Sequence, residues 1–290
     1  MCSEQIVQSN GVELCLETFG DRVDPAILLI AGAGSCLLSW DEEFCRRLAD
    51  AGRFVIRYDN RDSGRSTSYE VGSPPYSLND VVSDAVGLLD ALAIDRAHAV
   101  GVSGGGAVTQ LLALDHPDRV DTITLASTTP GGPGHEALDL PPMSSALAEA
   151  FSGEEPQQDW SDRTGVVESL VAFERLFAAQ TVEFDAAASA EFWGRVFDRT
   201  VDIAAQMTNP FLIDAGEPWR ARLGDIATPT LVLHGTEDPL FPYEHGLTLA
   251  KEIPRASFVA MKQTGHENPP RRVWDVVVPA LLEHTSRRSS

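Results

Sequence analysis

The stretch "HAVGVSGGGAVTQLLALDHPDRV", His98 to Val120, decides the fold. It sets Gly101, Gly104, Gly105 and Gly106 around Ser103, between an apolar run and a helix-like run. Glycine inside a strand or helix costs roughly 0.5–1 kcal/mol relative to alanine, so this cluster marks a backbone constraint. The run "AHAVGVS" (97–103) reads as a strand and "GGAVTQLLALDH" (105–116) as a helix. Gly101-Val102-Ser103-Gly104-Gly105 then fits G-x-S-x-G, a serine on so tight a strand-to-helix turn that residues two positions either side carry almost no side chain. A phosphate cradle fits less well. The stretch lacks the Lys-Ser/Thr ending of a P-loop, and it does not open the chain's first strand–helix–strand unit as a dinucleotide fingerprint does.

Working outward, the same alternation continues. Apolar, β-branched runs predict strands at 12–19, 26–32, 53–59, 121–127, 228–235 and 256–262. Several lack in/out alternation, which suits strands covered on both faces. Helix-period stretches lie between them: "DEEFCRRLADAG" (41–52), "NDVVSDAVGLLDALAI" (79–94) from an Asn79 N-cap, "EHGLTLAKEI" (244–253), and "RRVWDVVVPALLEH" (271–284) despite Pro279. This pattern predicts an α/β fold with a mostly parallel, doubly wound sheet. The alternation fails between about Thr129 and Arg222, where a Pro/Gly-rich linker leads into helices only: 144–153, 162–180 and 185–207. The expected organisation is a core of residues 1–130 and 223–290 with a helical cap of residues 131–222 inserted above the C-terminal edge of the sheet.

A serine nucleophile on such a turn needs an acid and then a histidine, in that chain order. After the strand at 228–235 comes Thr236-Glu237-Asp238-Pro239, and after the strand at 256–262 comes Gly265-His266-Glu267-Asn268. Both loops follow strand C-termini, the edge at which sites of open α/β sheets lie. Asp238 and His266 are the expected partners of Ser103, with Glu237 as the alternative acid. The other histidines fall in strands, helices or the linker. An oxyanion hole needs two backbone donors. The Gly104 N–H is one, and Ala33 in "AGAGS" (31–35) is the expected second, with Gly34 behind it.

Composition narrows the partners. Of 290 residues, 43 are acidic and 22 basic, a net charge of -21 that argues against nucleic-acid binding and weighs against anionic substrates. No run approaches the roughly 18 apolar residues of a membrane span, and the N-terminus lacks the pattern of a secretory signal. Cys2, Cys15, Cys36 and Cys45 match neither a zinc site nor a redox pair, so buried free thiols in a reducing cytoplasm are expected. No cofactor or metal is expected.

At these residues the chain resembles the α/β-hydrolase fold enzymes over essentially its full length. The blocks "AGAGS", "RYDNRDSGRST" (57–67), "GVSGGG…DHPDRV", and "HGTEDPLFP" (234–242) with "TGHENP" (264–269) carry the resemblance. "YDNRDSGRS" is similar to the version in aclacinomycin methylesterase and related polyketide methylesterases; no stretch of 131–222 can be matched. The resemblance implies a triad of Ser103, Asp238 and His266, an oxyanion hole of Ala33 and Gly104, and hydrolysis of a carboxylic ester of a small molecule. Lactones, thioesters, C–C bonds and perhydrolysis use the same triad and stay open, as does a non-catalytic binding module on the same fold. Phe151, Trp160, Phe173, Phe177, Phe192, Trp193, Phe197, Phe211 and Trp219 are enough to wall an apolar pocket; at helical spacing most are expected in the cap's own core.

Overall fold

Eight strands build the sheet: β1 (Gln5–Ser9), β2 (Val12–Phe19), β3 (Ala26–Ile30), β4 (Phe54–Tyr58), β5 (Ala97–Val102), β6 (Val120–Ala126), β7 (Thr230–Gly235) and β8 (Ala256–Met261). The computed structural model describes residues 4–132, 138–153 and 158–286. Their spatial order is β1-β2-β4-β3-β5-β6-β7-β8. The β1–β2 and β2–β4 pairings are antiparallel and all others parallel. β2 to β8 coincide with the apolar runs to within two residues. β1 is an addition, a largely exposed edge strand joined to β2 by Asn10 and Gly11 at φ 46° and 80°. Such a pair forms the tight hairpin turn that matches strand twist, and Asn-Gly was its signal in the sequence.

The helices are α1 (Glu42–Asp50), α2 (Leu78–Ala91), α3 (Gly104–Asp115), α4 (Ser145–Ser152), α5 (Arg163–Arg175), α6 (Ala186–Arg199), α7 (Ile203–Thr208), α8 (Tyr243–Glu252) and α9 (Trp274–His284). Two expectations need correction. The N-cap of α2 is Ser77, whose capping box with Asp80 satisfies two backbone donors, and not Asn79. The run at 185–207 is two helices: α6 stops at Thr200, and Asp202 caps α7 through the Ala205 N–H at 2.9 Å.

Period-two alternation explains the continuous apolar strands. Leu28 and Ile30 of β3 join one core with α2, α3 and α8, while Ile27 and Leu29 join a second with α1 and α9. From β3 the chain steps to β4, crosses back over β3 to β5, and then moves outward to β8. Strand order therefore reverses between β3 and β5, and a crevice opens outside their C-terminal ends.

Between β6 and β7 the described residues are helical, with no strand beyond a single bridge from Asp214 to Ser77. Three polar side chains anchor this helical segment. Arg199 faces Asp59 and Glu4, each at 2.6 Å. Gln206 accepts from Gly64 N at 2.9 Å and donates to Gly34 O at 3.0 Å. Asn209 donates to Asp62 at 3.0 Å and accepts from Gly72 N at 2.8 Å. The "YDNRDSGRS" block thus forms the seat of the helical segment.

Cys15, Cys36 and Cys45 are buried and free, and burial pushes each thiol up to about 12. Cys2 and His135 lie outside the described residues. Among the described residues no helix is long and apolar enough to cross a membrane.

Candidate active site

Ser103 stands where β5 becomes α3, with φ 53° and ψ -117°. A non-glycine residue in that region is strained and persists only when its surroundings over-determine it. They do: Ser103 N donates to Ala126 O at 3.0 Å, and Thr128 Oγ1 donates to Ser103 O at 2.8 Å. A Cβ on Gly101 would overlap the Gly105 carbonyl, and one on Gly105 would overlap Ile30 O. A Cβ on Gly106 would come within 2.6 Å of the Thr128 side chain. Gly101 and Gly105 are spaces into which neighbouring main chain is already packed, and Gly106 is filled by the Thr128 side chain.

The loops after β7 and β8 meet this turn. His266 Nε2 lies 3.0 Å from Ser103 Oγ, and His266 Nδ1 lies 2.9 Å from Asp238 Oδ2. The other Asp238 oxygen accepts from Leu240 N at 2.9 Å and Phe241 N at 2.8 Å. Burial alone pushes the Asp238 carboxyl up, but His266, the nearby His234 and the Phe241 N–H outweigh it and hold the carboxyl below its ordinary value. An ionised carboxylate accepts only, so Nδ1 carries the imidazole proton and Nε2 presents its lone pair to the Ser103 hydroxyl. Glu237, the alternative acid, points elsewhere: it accepts from Thr181 N at 3.0 Å and Thr181 Oγ1 at 2.5 Å.

Further contacts hold the histidine. His266 N donates to Phe177 O at 2.8 Å, and Gly265 has no room for a Cβ against that carbonyl. The Phe177 and Phe241 rings pack at centroid distances of 5.8 and 5.3 Å from the imidazole. His234 was not picked out from the sequence. Its Nε2–H donates to Phe241 O at 2.7 Å and lies 3.7 Å from Asp238 Oδ2. Its position one turn of chain before Asp238, on a strand ending at the site, was the available signal.

The expected oxyanion donors are adjacent. Ala33 N lies 3.1 Å from where a Gly104 Cβ would sit, and the Gly104 N–H is in the first helical turn, where amides have no intrahelical partner. The Gly34 carbonyl accepts from Gln206 Nε2 at 3.0 Å, which fixes the loop that carries Ala33.

Two cavities meet at Ser103. One, of about 780 Å³, is lined by His266 and by Phe173, Phe177, Phe184, Phe192 and Trp193. The other, of about 1130 Å³, is lined by Gly104, Ala107 and Val108 of α3, by His245, and by Leu140 to Met143. The aromatic residues divide. Phe192 and Trp193 pack with Trp160 and Phe197 in the helical segment, as expected, and also line a cavity wall, as do Phe151, Phe173, Phe177 and Phe211, while Trp219 packs in the main core. Helical spacing identifies a shared face but not whether protein or empty space lies opposite it. No cluster of three or more metal-ligating side chains occurs among the described residues.

Residues 25–269 match the family described as the alpha/beta hydrolase fold. The chain is 34% identical to a rhodomycin D methylesterase of Streptomyces sp. strain C5 and 33% identical to one of Streptomyces peucetius, over 97% of both partners in each case. The solved enol-lactonase of Burkholderia xenovorans LB400 aligns with a TM-score of 0.73 at 25% identity, covering 98% of this chain and 100% of that one. A meta-cleavage product hydrolase from Pseudomonas fluorescens IP01 shares the fold, with a TM-score of 0.72 at 20% identity over 97% of each chain.

Proposed function

The chain belongs to the α/β-hydrolase fold family and is a carboxylic-ester hydrolase; from that premise we propose that it works through an acyl-enzyme on Ser103, with His266 as base and Asp238 as its orienting acid. The observation that carries the reading is the unbroken line of hydrogen bonds from Ser103 Oγ to His266 at 3.0 Å and on to Asp238 at 2.9 Å. In the acylation step the Ser103 oxygen bonds to the ester carbonyl carbon and its proton passes to His266 Nε2. The carbonyl oxygen, now negative, is received by the Ala33 and Gly104 N–H groups. Donors aimed at developing charge are typically worth about 10²–10³ in kcat each. The tetrahedral adduct collapses, the C–O bond to the alcohol breaks, and the alkoxide takes the proton back from His266. Water then attacks the acyl-enzyme with His266 again as base, which releases the acid and restores Ser103. Asp238 keeps Nδ1 protonated throughout and stabilises the imidazolium.

We read residues 1–130 and 223–290 as the catalytic core and 131–222 as a cap that shapes the substrate site. The substrate class we assign is a methyl ester of a polyketide-like small molecule. Support comes from the rhodomycin D methylesterases over nearly the whole chain and from the largely apolar cavities at Ser103. Hydrolysis of p-nitrophenyl butyrate by the wild type and by Ser103→Ala tests the mechanism. The expected result is turnover that falls by about 10⁴–10⁶ in the variant. A non-catalytic binder shows no turnover in either protein, and undiminished turnover in Ser103→Ala removes the proposed nucleophile.

A further inference from the structure

The methyl ester assigned above leaves most of the space beside His266 unused, which is room for a second class of ester with a larger alcohol. The imidazole that takes the Ser103 proton must return it to the departing alkoxide, so the alcohol leaves on the imidazole's side. His266 lines the cavity of about 780 Å³ and does not line the cavity of about 1130 Å³. Phe151, Phe211 and Leu240 line both, as do Ser103 and the loop from Gly32 to Gly34, so the two spaces join over the Ser103 turn. Phe211 is placed at this junction, since its ring lies 3.3 Å from where a Gly34 Cβ would sit, directly over the loop carrying Ala33. Asn209 fixes the same turn from behind, being buried and bonded to Asp62 and Gly72.

The His266 cavity has the size of pockets that enclose whole drug-sized ligands, which range over about 300–1,000 Å³. One part of its wall is aromatic, while Asp41, Glu42, Glu43, Arg46, Arg195 and Arg271 line other parts of it. Phe173 and Phe177 meet edge to face at 5.0 Å, and Phe192 and Trp193 at 5.3 Å. Aromatic pairs prefer edge-to-face or offset contacts, which a ligand ring set against this wall can make in turn. We propose that the chain hydrolyses esters of arene-bearing alcohols, benzyl-sized or larger, with the alcohol ring seated among Phe173, Phe177, Phe192 and Trp193 and the acyl group in the cavity along α3. The proposal rests on the acyl-enzyme reading above. Its chemistry is unchanged: the Ser103 oxygen–acyl bond forms, the acyl–oxygen bond to the aryl-methyl alcohol breaks, the electron pair leaves on that oxygen, and the His266 proton neutralises it.

Methyl and benzyl phenylacetate share an acid, and their alkoxides are of nearly equal basicity, so their rate ratio reads the alcohol seat. The expected kcat/KM for the benzyl ester exceeds that for the methyl ester by at least about tenfold, mainly through KM, as burial of a phenyl ring implies. A benzyl ester turned over no faster than the methyl ester overturns the proposal. Phe173→Ala and Phe192→Ala, each checked for unchanged circular dichroism, are expected to lower the benzyl-to-methyl ratio at least about threefold; a ratio unchanged in both also overturns it. Labelling of Ser103 by a fluorophosphonate separates the two levels. Labelling without benzyl ester hydrolysis defeats this inference alone, whereas no labelling and no hydrolysis of either ester defeats the acyl-enzyme reading with it.

Discussion

The turn at Ser103 is held by main chain packed against main chain, whereas the helical segment above it is held by a few buried polar side chains and by an apolar seam of Cys36 and Leu38 against Val166, Leu170, Val196 and Ile203. At the turn, Gly101 and Gly105 admit the Gly105 and Ile30 carbonyls into the space a Cβ would need. In the segment, Arg199, Gln206 and Asn209 reach down to Asp59, Gly64 and Asp62. The first arrangement tolerates almost no change of residue. The second depends on which polar groups face each other and leaves the aromatic wall between them free to vary. Chemistry and substrate fit are therefore separately adjustable here, except where Phe177 O holds His266 N.

The largest effect that tests this contrast belongs to the rim. Asp238→Asn keeps the shape but lets the amide donate to Nδ1, which turns the Nε2 proton toward Ser103. The expected outcome is a fall in kcat of about 10⁴, with the melting temperature little changed. A nearly active Asp238→Asn protein breaks the assignment of fixed geometry to the rim.

Next in size is the anchor of the helical segment. Burial draws the Arg199 guanidinium down, but Asp59 and Glu4 outweigh it and push its proton affinity up. Asp59→Asn removes the fully buried partner and leaves the cation with Glu4 alone, so the expected cost lies toward the lower end of the roughly 3–5 kcal/mol seen when a buried pair is broken. Urea unfolding at pH 7 measures it. Full retention of stability means that apolar packing, and not the ion pair, holds the segment down.

A third test separates the core from the segment by pH. Burial pushes His98, at the far end of β5, down to about 4 from 6.5. The unfolded chain binds that proton first, so the stabilisation is fully present above about pH 6.5 and is lost as pH falls toward 4. The loss is roughly 3 kcal/mol across that window. Urea unfolding at pH 7 and pH 4.5 is expected to show it, and His98→Asn to flatten the difference. A slope that survives in His98→Asn places the acid sensitivity elsewhere. The smallest effect is expected at Glu237, a half-buried side chain bonded to Thr181. Glu237→Gln is expected to change kcat by less than about twofold, and a loss like that of Asp238→Asn would reverse the two acids' roles.

Legibility in the sequence follows the same division. Strands β3 to β7 are readable because both faces are covered, so polar residues seldom interrupt them, whereas β2 and β8 keep exposed or half-buried positions and are readable from the apolar residues between these. Ser103, Asp238 and His266 are readable because each follows a strand and the chemistry demands their order. β1 is not, since its side chains are mostly exposed and only Asn10-Gly11 marks its turn. The break at Thr200 is hidden by periodicity that continues across it, and Asp202 alone signals the new N-cap. The pairing of Arg199 with Asp59 spans 140 residues, with no local pattern to reveal it. The aromatic residues show the limit most clearly: Trp193 packs in the helical segment as expected of it, yet it and Phe173 also line a cavity, which periodicity does not reveal.

The account turns on Ser103 being activated by an imidazole that Asp238 orients. Reaction of the intact protein with a fluorophosphonate, followed by peptide mass mapping, tests this most directly. The expected result is one adduct per chain, on Ser103, formed at least about 10³ times more slowly in His266→Ala. An adduct on another residue, or unchanged labelling of His266→Ala, contradicts it.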